Sequence, residues 1–544
     1  MKATTSQSVG RLWRTVRHLR ARQILGRVWF QFHRPRPDLA PAPSRSDGHG
    51  PWVQPARRAA SIVGPGRWRL LGEERSIDDT GWDDPSIDRL WRYNLHYFDD
   101  LNADGSPARM AVQAAMIDRW ISENPAGQGT GWEPYPTSLR AVNWIKWFMG
   151  GAPVRERAIA SLAVQLRWLR ARLEWHLLGN HLFANAKALL MAGLFFGGPE
   201  AEAWIVRARA ILERELGEQI LGDGGHFERS PMYHALALED VLDLVNMMRA
   251  SEPLQPCLEV LRVQLADKVP RMIDWLKCLS YPGGQLAHFN DCADGVAPPT
   301  VEILRYAAEL GFRGAAIKPT RVTHLGDSGY VRLDLDGAIA LLDVAPIGPD
   351  YLPGHAHADT LSFELVVGGR AVVVNRGTSC YGTSARRQYE RGTAAHSTVQ
   401  IGESDSSEVW SGFRVGRRAR PLDLSVTDGE IRCSHDGFRH LPSAPKHQRR
   451  WCFDDRSLQV TDSITGGVRA LARFHFAPGL TLQPDRHNDW LVQSGDATIA
   501  RVEVIDGLPR LARTDHADAF GCLTPAQTLE IEPYEGSVVT CWRW

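Results

Sequence analysis

Apolar residues recur at helical spacing through the middle of the chain, between about residues 110 and 315. One stripe keeps intervals of three and four residues, so its members share one face of a helix. That stripe consists of Ile159, Leu162, Leu166, Leu169 and Leu173, and two more stripes lie within 205–216 and 238–245. Consecutive helices with short Gly- and Pro-containing connections predict stacked helical hairpins, of which a closed α/α toroid is one arrangement.

The pattern changes to alternation of apolar and polar residues near residue 325. Val331, Leu333 and Leu335 alternate with polar neighbours, and a second alternating run occupies 361–367. That run meets Gly368-Gly369 and continues as another apolar run, which indicates a β-hairpin. Short runs broken by Gly, Asp and Asn continue to Trp544. This half is therefore predicted to be all-β, with antiparallel sheets stacked as a sandwich.

The first forty residues form a basic, partly amphipathic segment that stops at the Pro-rich stretch 35–43. Arginines are spread through it without a clean apolar block, so it does not have the pattern of a secretory signal. We interpret the segment as a helix clamped on the main domain, with a helix lying on a membrane surface as the alternative.

Composition narrows the class of protein. The 544 residues are 43% hydrophobic and 23% charged, as in a globular protein, and 63 Lys and Arg balance 63 Asp and Glu. The balance argues against nucleic acid as a partner, and a polyanion would have to meet local positive groups. No apolar run approaches the roughly 18 residues that span a bilayer. The eight cysteines include no Cys-x-x-Cys pair, which is typical of a reduced compartment. We therefore favour a cytoplasmic protein, with periplasmic or membrane-peripheral locations as alternatives.

Four polar clusters stand out as candidate chemistry. They are Asn180-His181, the segment 223–234 with Glu228, Arg229 and Tyr233, the patch 288–291, and the segment 354–360 with His355, His357 and Asp359. Taken alone, Asn180 is also a candidate helix cap and 288–291 a candidate turn. The many titratable groups beside Gly224-Gly225 are unusual for packing alone and favour a functional loop.

The His-x-His-x-Asp pattern is the most informative of the four. On a strand, His355, His357 and Asp359 would project to one face, which suits a metal site or an acid/base pair. A dinuclear metal hydrolase is one interpretation, but Thr360 stands where the common hydrolase motif has another His. The sequence contains no His-Glu-x-x-His and no Walker loop.

At these residues the chain resembles the heparinase II/III-like family of polysaccharide lyases, and the resemblance runs along nearly all of it. The N-terminal motifs are Tyr-Asn-Leu-His-Tyr-Phe at 93–98 and Trp-Glu-Pro-Tyr-Pro-Thr-Ser at 132–138. The clusters around Asn180, Tyr233 and His355 are similar to the active-site segments, and Ala-His-Ser-Thr-Val at 395–399 is similar to a β-domain segment.

The resemblance implies a multidomain α plus β protein, in which an incomplete α/α toroid is followed by an antiparallel β-sandwich. We place a basic N-terminal segment at 1–45, the toroid at 46–318 and the sandwich at 319–544. It also implies eliminative cleavage of an acidic polysaccharide beside a uronic acid, in a cleft between the two domains. A role in exopolysaccharide metabolism would fit such an activity.

Roles for four residues follow from the resemblance. Asn180 would neutralise the uronate carboxylate with His181 as an assistant, and Tyr233 and His355 would form the acid/base pair. Removal of the C5 proton produces a carbanion-enolate, whose charge a hydrogen-bonding group on the carboxylate would stabilise. Glu228, Arg229 and Arg376 are further candidates for substrate binding, and no cofactor is required for this chemistry.

A structural zinc is the metal that the resemblance implies. His357 and His396 would be ligands, and Asn375 falls where relatives carry an Asp as the third ligand. Because Asn is a poor zinc ligand, metal binding is an open expectation, with Asp359 as a substitute ligand.

Two rival functions remain. A glycoside hydrolase on the same toroid could draw its two carboxylates from Glu133, Asp223 and Glu228. Alternatively, the protein could keep the fold without catalysis and bind or assemble a polysaccharide.

Overall fold

The computed structural model describes residues 5–46, 48–315, 320–486 and 488–544. Helices dominate the chain up to residue 309, as the helical spacing predicts. They are α1 Thr5–Val16, α2 Ala21–Phe32, α3 Ile77–Thr80, α4 Arg89–Tyr97, α5 Ser106–Glu123, α6 Pro134–Met149, α7 Glu156–Ala171, α8 Gly179–Phe195, α9 Gly198–Gln219, α10 Pro231–Ala250, α11 Pro256–Cys278 and α12 Thr300–Glu309. These helices form an incomplete α/α toroid around an apolar core that includes buried Trp120, Trp144 and Trp204.

A small antiparallel sheet precedes the region of helical spacing and lies within the range 46–318 that was assigned to the toroid. Its strands are β1 Ile62–Gly64, β2 Arg67–Leu70 and β3 Glu73–Ser76, in the order β1-β2-β3. Gly66 has φ +64° in the turn between β1 and β2, a conformation that favours glycine. The Gly-Pro-Gly at 64–66 was the available signal for this hairpin.

The C-terminal half is a sandwich of two antiparallel sheets, as alternation predicts. Its strands are β4 Val322–Leu325, β5 Tyr330–Leu335, β6 Ala338–Asp343, β7 Phe363–Val367, β8 Arg370–Val374, β9 Val399–Ile401, β10 Val409–Trp410, β11 Arg414–Val415, β12 Pro421–Val426, β13 Glu430–His435, β14 His447–Phe453, β15 Ser457–Ile464, β16 Ala470–Phe476, β17 Thr481–Pro484, β18 Asp489–Ser494, β19 Ala497–Asp506, β20 Leu508–His516, β21 Thr524–Glu532 and β22 Ser537–Arg543. One helix, α13 Ala385–Arg391, departs from the all-β expectation.

The two large sheets enclose a common core. One runs β12-β13-β14-β15-β22-β19-β18-β17, and the other runs β20-β21-β16-β8-β7-β6-β5-β4 with β9 also paired to β16. Phe474 of the second sheet packs on Trp542 of the first, with ring centroids 5.5 Å apart. Side chains alternate between the core and the outer face along the strands, as in β14, where every second residue is buried.

The toroid and the sandwich meet at the end of α11. Trp275 is fully buried there with Tyr330 and Leu341 of the sandwich, and its indole N–H donates to Ser328 Oγ at 2.9 Å. The predicted boundary between residues 318 and 319 lies outside the described residues, so the predicted domain limits stay a prediction. This junction brings the loops after α11 and after β6 to the same end of the molecule.

Candidate active site

A buried carboxylate organises the residues at the junction. Asp291, in the loop after α11, is fully buried and accepts from His355 Nδ1 at 2.9 Å. It also lies 2.8 Å from His357 Nε2. The guanidinium of Arg387 on α13 donates to both of its oxygens, with one contact at 2.7 Å. The Arg387 charge holds the Asp291 pKa well below its usual range despite burial, so the carboxylate is ionised.

His355 and His357 lie in the long loop between β6 and β7 and not on a strand, which corrects the sequence interpretation. Leu361 at the end of this loop has φ +65°, which no strand residue adopts. The two histidines still converge, because both hydrogen-bond to Asp291. Asp359 does not join them, since its Oδ2 accepts from the backbone N–H of Asn290 at 3.0 Å.

Tyr233 lies directly against His355. Ser230 caps α10 by accepting from the Tyr233 N–H at 3.2 Å, which fixes Tyr233 in the first turn of the helix. The phenol ring and the imidazole have centroids 4.0 Å apart with 30° between their planes. The Tyr233 hydroxyl lies 3.0 Å from that of Tyr381, a residue that the sequence did not single out. The structure thus brings together the two residues expected to be the acid/base pair.

Burial sets the protonation of this pair. It lowers the His355 pKa from its ordinary value, although the Asp291 carboxylate acts in the opposite sense. Burial raises the Tyr233 pKa well above its ordinary value, and the neighbouring Tyr381 adds to the shift. At neutral pH the imidazole is therefore neutral and the phenol keeps its proton, so His355 can accept a proton and Tyr233 can donate one.

Glu228 lies beside this pair. Its carboxylate is 3.9 Å from His355 Nε2, and neither oxygen has a hydrogen-bond partner within the described part of the chain. Burial, and then the charge of Asp291, raise the Glu228 pKa to about 8. The group is therefore a neutral carboxylic acid at neutral pH, and it can donate a hydrogen bond to an anion without repelling it.

Asn180 and Tyr233 line one narrow cavity, together with Tyr135 and Phe183. His181 instead turns to Glu174, with its Nδ1 3.1 Å from Glu174 Oε1. It lines a second, wider cavity of about 410 Å³. The wall of that cavity carries Phe30, Arg89, Tyr93, Trp132, Glu133, Trp168, Arg172 and His176. Its volume is within the range of about 300–1,000 Å³ usual for ligand pockets.

The structure does not place Arg229 or Arg376 in the wall of either cavity. The Arg229 Nε donates to the Ser328 carbonyl at 2.9 Å, which ties the start of α10 to the sandwich. Arg376 is buried and binds Asp515, with Nε 2.6 Å from the Asp515 carbonyl oxygen and Nη2 2.6 Å from Asp515 Oδ1. Both guanidinium groups are thus engaged in internal contacts, away from the Asn180 and Tyr233 cavity.

The expected zinc ligands lie close together without forming a complete site. The rings of His357 and His396 have centroids 5.2 Å apart, and one nitrogen of each lacks a partner among the described residues. Asn375 Oδ1 lies 3.2 Å from His396 Nδ1 and accepts from the Ser397 N–H. The set supplies two neutral imidazoles and a neutral amide that is already hydrogen-bonded. Without a charged third ligand, these residues do not fit a three-ligand zinc site.

Another group of possible metal ligands is found among the described residues: His288, His516 and Asp518. His516 Nε2 is hydrogen-bonded to Asp518 Oδ1 at 2.8 Å. The two imidazoles stack, with centroids 5.2 Å apart and 23° between the planes. One candidate ligand atom from each of the three residues lies within 4.8 Å of the other two.

Sequence reasoning missed the roles of three residues at this site. Asp291 was noted only as part of the patch 288–291, and neither Tyr381 nor Arg387 was given a role. Arg387 is fully buried in its ion pair with Asp291. The signal that could have identified Asp291 was an acidic residue in the same polar patch as His288 and Asn290.

Comparison with known proteins agrees with this architecture. The family model for the heparinase II/III N-terminus matches residues 119–309, and the heparinase II/III-like C-terminal model matches 317–544. A structure of heparinase III superposes with a TM-score of 0.59 at 16% identity, covering 87% of this chain and 79% of that one. The heparan sulfate lyase of Pedobacter heparinus gives a TM-score of 0.53 at 18% identity, covering 96% and 87%. At these identities, the structural likeness establishes the fold alone.

The curated relatives differ in the function that their names state. A heparin-sulfate lyase of Bacteroides stercoris is 24% identical over 317 residues, 55% of this chain and 45% of the relative. The chain thus spans less than half of the length of that lyase. FtsZ-localized protein C of Caulobacter vibrioides is 28% identical over 495 residues, 84% of this chain and 79% of that protein. With both family models matched in order along the toroid and the sandwich, the chain belongs to the heparinase II/III-like family.

Proposed function

We propose that the protein is a polysaccharide lyase that cleaves a uronic-acid-containing polymer by β-elimination. The contact between Tyr233 and His355 carries this proposal, because it pairs a protonated phenol with a neutral imidazole beside a cavity lined by Asn180. Elimination needs a base for the C5 proton and an acid for the leaving O4 oxygen. These two side chains supply both groups.

The steps follow from the hydrogen bonds at the site. Asn180 and the protonated Glu228 bind the uronate carboxylate, which stabilises the charge that develops as C5 loses its proton. The His355 Nδ1–H donates a hydrogen bond to the Asp291 carboxylate, so the lone pair of Nε2 is free to accept the C5 proton. Electrons from the C5–H bond form the C4–C5 double bond, and the C4–O4 bond breaks. Tyr233 donates its proton to the departing O4.

For a substrate with the C5 proton and O4 on the same face, Tyr233 would serve as both base and acid. It would then first have to lose its own proton, which its raised pKa opposes. The protonation states therefore favour His355 as the base and Tyr233 as the acid.

The wide cavity supports a polymeric acidic substrate. Trp132, Trp168 and Tyr93 offer ring surfaces for sugar stacking. Arg89 is paired with Glu133, so Arg172 is the arginine of this wall that could meet a carboxylate or sulfate. His181 lines this cavity one residue after Asn180 in the first turn of α8. The polymer would thus run from the wide cavity toward Asn180. The lyase-named relatives make heparan sulfate the first polymer to test.

A panel of uronate polymers with ultraviolet detection tests the proposal. A lyase forms a 4,5-unsaturated uronide that absorbs in the ultraviolet, whereas a hydrolase forms new reducing ends without that absorbance. We expect absorbance to rise with at least one polymer and to rise far more slowly with the Tyr233→Phe variant. New reducing ends without absorbance would overturn the proposal in favour of a hydrolase. Of the three carboxylates considered for that rival, Asp223 is engaged by Ser328 N–H and Oγ at 2.7 and 2.8 Å.

A second candidate function is non-catalytic, and one observation favours it. The relative named for its localisation to FtsZ aligns over more of this chain than the Bacteroides lyase does, and at higher identity. In that case the cleft would bind a saccharide or a partner without cleaving it. Binding of a polymer by calorimetry, with no product of either kind after prolonged incubation, would favour this function over the lyase.

A further inference from the structure

The two N-terminal helices, α1 and α2, expose apolar stripes to solvent. On α1 the exposed apolar residues follow the spacing i, i+3, i+4, i+7, and on α2 they follow i, i+1, i+4, i+5, i+8. They are Val9, Leu12, Trp13 and Val16 on α1, and Ile24, Leu25, Val28, Trp29 and Phe32 on α2. Trp29 is 61% exposed and Phe32 81% exposed. Each stripe occupies one face of its helix.

The opposite faces of these helices hold them on the body of the protein by mostly polar contacts. Arg14 forms a salt bridge with Glu408 at 2.7 Å, and the Trp410 indole donates to Thr15 Oγ1 at 3.1 Å. On α2, the buried Gln23 donates to the Tyr351 carbonyl at 3.1 Å. An ordinary surface helix turns its apolar face to the core and its polar face to water. This pair does the reverse, so its apolar stripes are left for something outside the chain.

The Asp, Glu, Lys and Arg residues around the stripes are all of one type, arginine. Residues 5–37 contain eight arginines and no acidic residue, whereas the whole chain is neutral. Arg14 and Arg20 pair with carboxylates of the body. The others include five exposed arginines that form no salt bridge among the described residues: Arg17, Arg22, Arg27, Arg34 and Arg36. An apolar stripe with aromatic rings, flanked by arginines without salt bridges, complements a surface with an apolar interior and negatively charged outer groups.

We propose that the α1–α2 pair docks the protein on an anionic lipid bilayer, with the apolar stripes in the interface and the arginines at the lipid phosphates. No helix among the described residues is long and apolar enough to cross a membrane, so the pair lies on the surface. The inner side of α2 places Phe30 in the wall of the wide cavity. Docking therefore holds that cavity about one helix diameter, roughly 10 Å, from the lipid. This inference does not depend on catalysis.

Vesicle flotation of the full chain tests the proposal. We compare vesicles of phosphatidylcholine alone with vesicles that also contain phosphatidylglycerol, at low and high salt. The wild-type protein is expected to float with the anionic vesicles, and less so at high salt, since salt screens the arginines. The double variant Trp29→Glu/Phe32→Glu is expected to lose at least about tenfold in partition coefficient. A second variant, Arg27→Gln/Arg34→Gln, should lose the preference for anionic lipid while keeping the stripes.

The matched control is Val260→Glu/Val263→Glu, two valines on α11 that are each 55% exposed. It carries the same charge change away from the helical pair and should bind vesicles as the wild type does. Thermal midpoints of all variants should agree, because every substituted side chain is exposed. Absence of wild-type binding to either vesicle, or equal binding by the Trp29/Phe32 variant, would overturn the proposal. Self-association that the same variant abolishes, without vesicle binding, would assign the stripes to a second copy of the chain and also overturn it.

Discussion

Asp291 Oδ2 and His355 Nδ1 lie 2.9 Å apart, although 64 residues separate them in sequence. The backbones of the two residues also pair, with the Asp291 N–H donating to the His355 carbonyl at 2.9 Å. One residue follows the last long helix of the toroid, and the other lies in a loop of the sandwich. The expected base is therefore held in place by a contact across the domain junction.

Replacing Asp291 by Asn should destabilise the protein and impair His355. Arg387 is fully buried and would lose its anionic partner, and breaking a buried pair in this way costs about 3–5 kcal/mol. His355 would lose the carboxylate that raises its pKa, so the acid limb of any activity profile should move to lower pH. Urea unfolding and rate measurements across pH would show the two effects.

Asp462→Asn is the matched control for that variant. Asp462 is also fully buried and binds Arg449 through both oxygens and His447 through one, within the sandwich. Its loss should cost a similar free energy of unfolding without moving the pH profile. If both variants shifted the profile equally, Asp291 would have no specific part in positioning His355.

Replacing Tyr233 by Phe should abolish most of the activity while leaving the fold intact. The substitution keeps the ring that packs on His355 but removes the hydroxyl that donates to O4. General acids typically contribute 10²- to 10⁴-fold, so initial rates of unsaturated product should fall by about that factor. The thermal midpoint should hardly change, because the ring volume is kept.

Tyr381→Phe is the control for the loss of a hydroxyl in the same place. It removes the partner 3.0 Å from the Tyr233 hydroxyl but leaves the proposed acid itself. A much smaller loss of rate than for Tyr233→Phe is expected. Equal losses would mean that the hydrogen bond between the two tyrosines, and not proton donation by Tyr233, limits the rate.

Periodicity predicted the architecture because it reports which face of each element is buried. The change from helical spacing to alternation located the passage from toroid to sandwich between α12 and β4. It failed at β1–β3, whose strands of three or four residues are too short to show alternation. It also failed at 354–360, where a run of polar residues was interpreted as the start of a strand that begins only at Phe363.

The candidate site was predictable only in part, because its residues come from separate loops. The clusters identified Asn180, Tyr233, Glu228 and His355 from their residue types. The ion pair between Asp291 and Arg387 joins residues 96 positions apart, and no local pattern reveals such a contact. For the same reason, Arg229 and Arg376 could not be recognised as structural residues before their partners Ser328 and Asp515 were known.

The histidine pair at His357 and His396 gives a prediction about zinc. The wild-type protein should not hold stoichiometric zinc after dialysis, because Asn375 adds no charge to the two imidazoles. Asn375→Asp supplies a carboxylate at the same position and should create a zinc site. Elemental analysis, and a rise in thermal midpoint on adding zinc to the variant alone, would show it. One zinc per chain in the wild type would contradict this view of Asn375.

The pH profile of kcat/KM should have an acid limb set by His355 and an alkaline limb set by Glu228. His355 is protonated below its lowered pKa and cannot then accept the C5 proton. The fall of kcat/KM at acid pH should therefore lie below the ordinary pKa of histidine. Glu228 is protonated up to about pH 8 and binds the uronate as a neutral acid. Above that pH its charge repels the substrate, so kcat/KM should fall again.

Glu228→Gln keeps a neutral donor at every pH and should remove the alkaline limb while leaving the acid limb in place. Profiles of kcat/KM for the two proteins decide the matter, since an alkaline limb that persists in Glu228→Gln would assign it to another group.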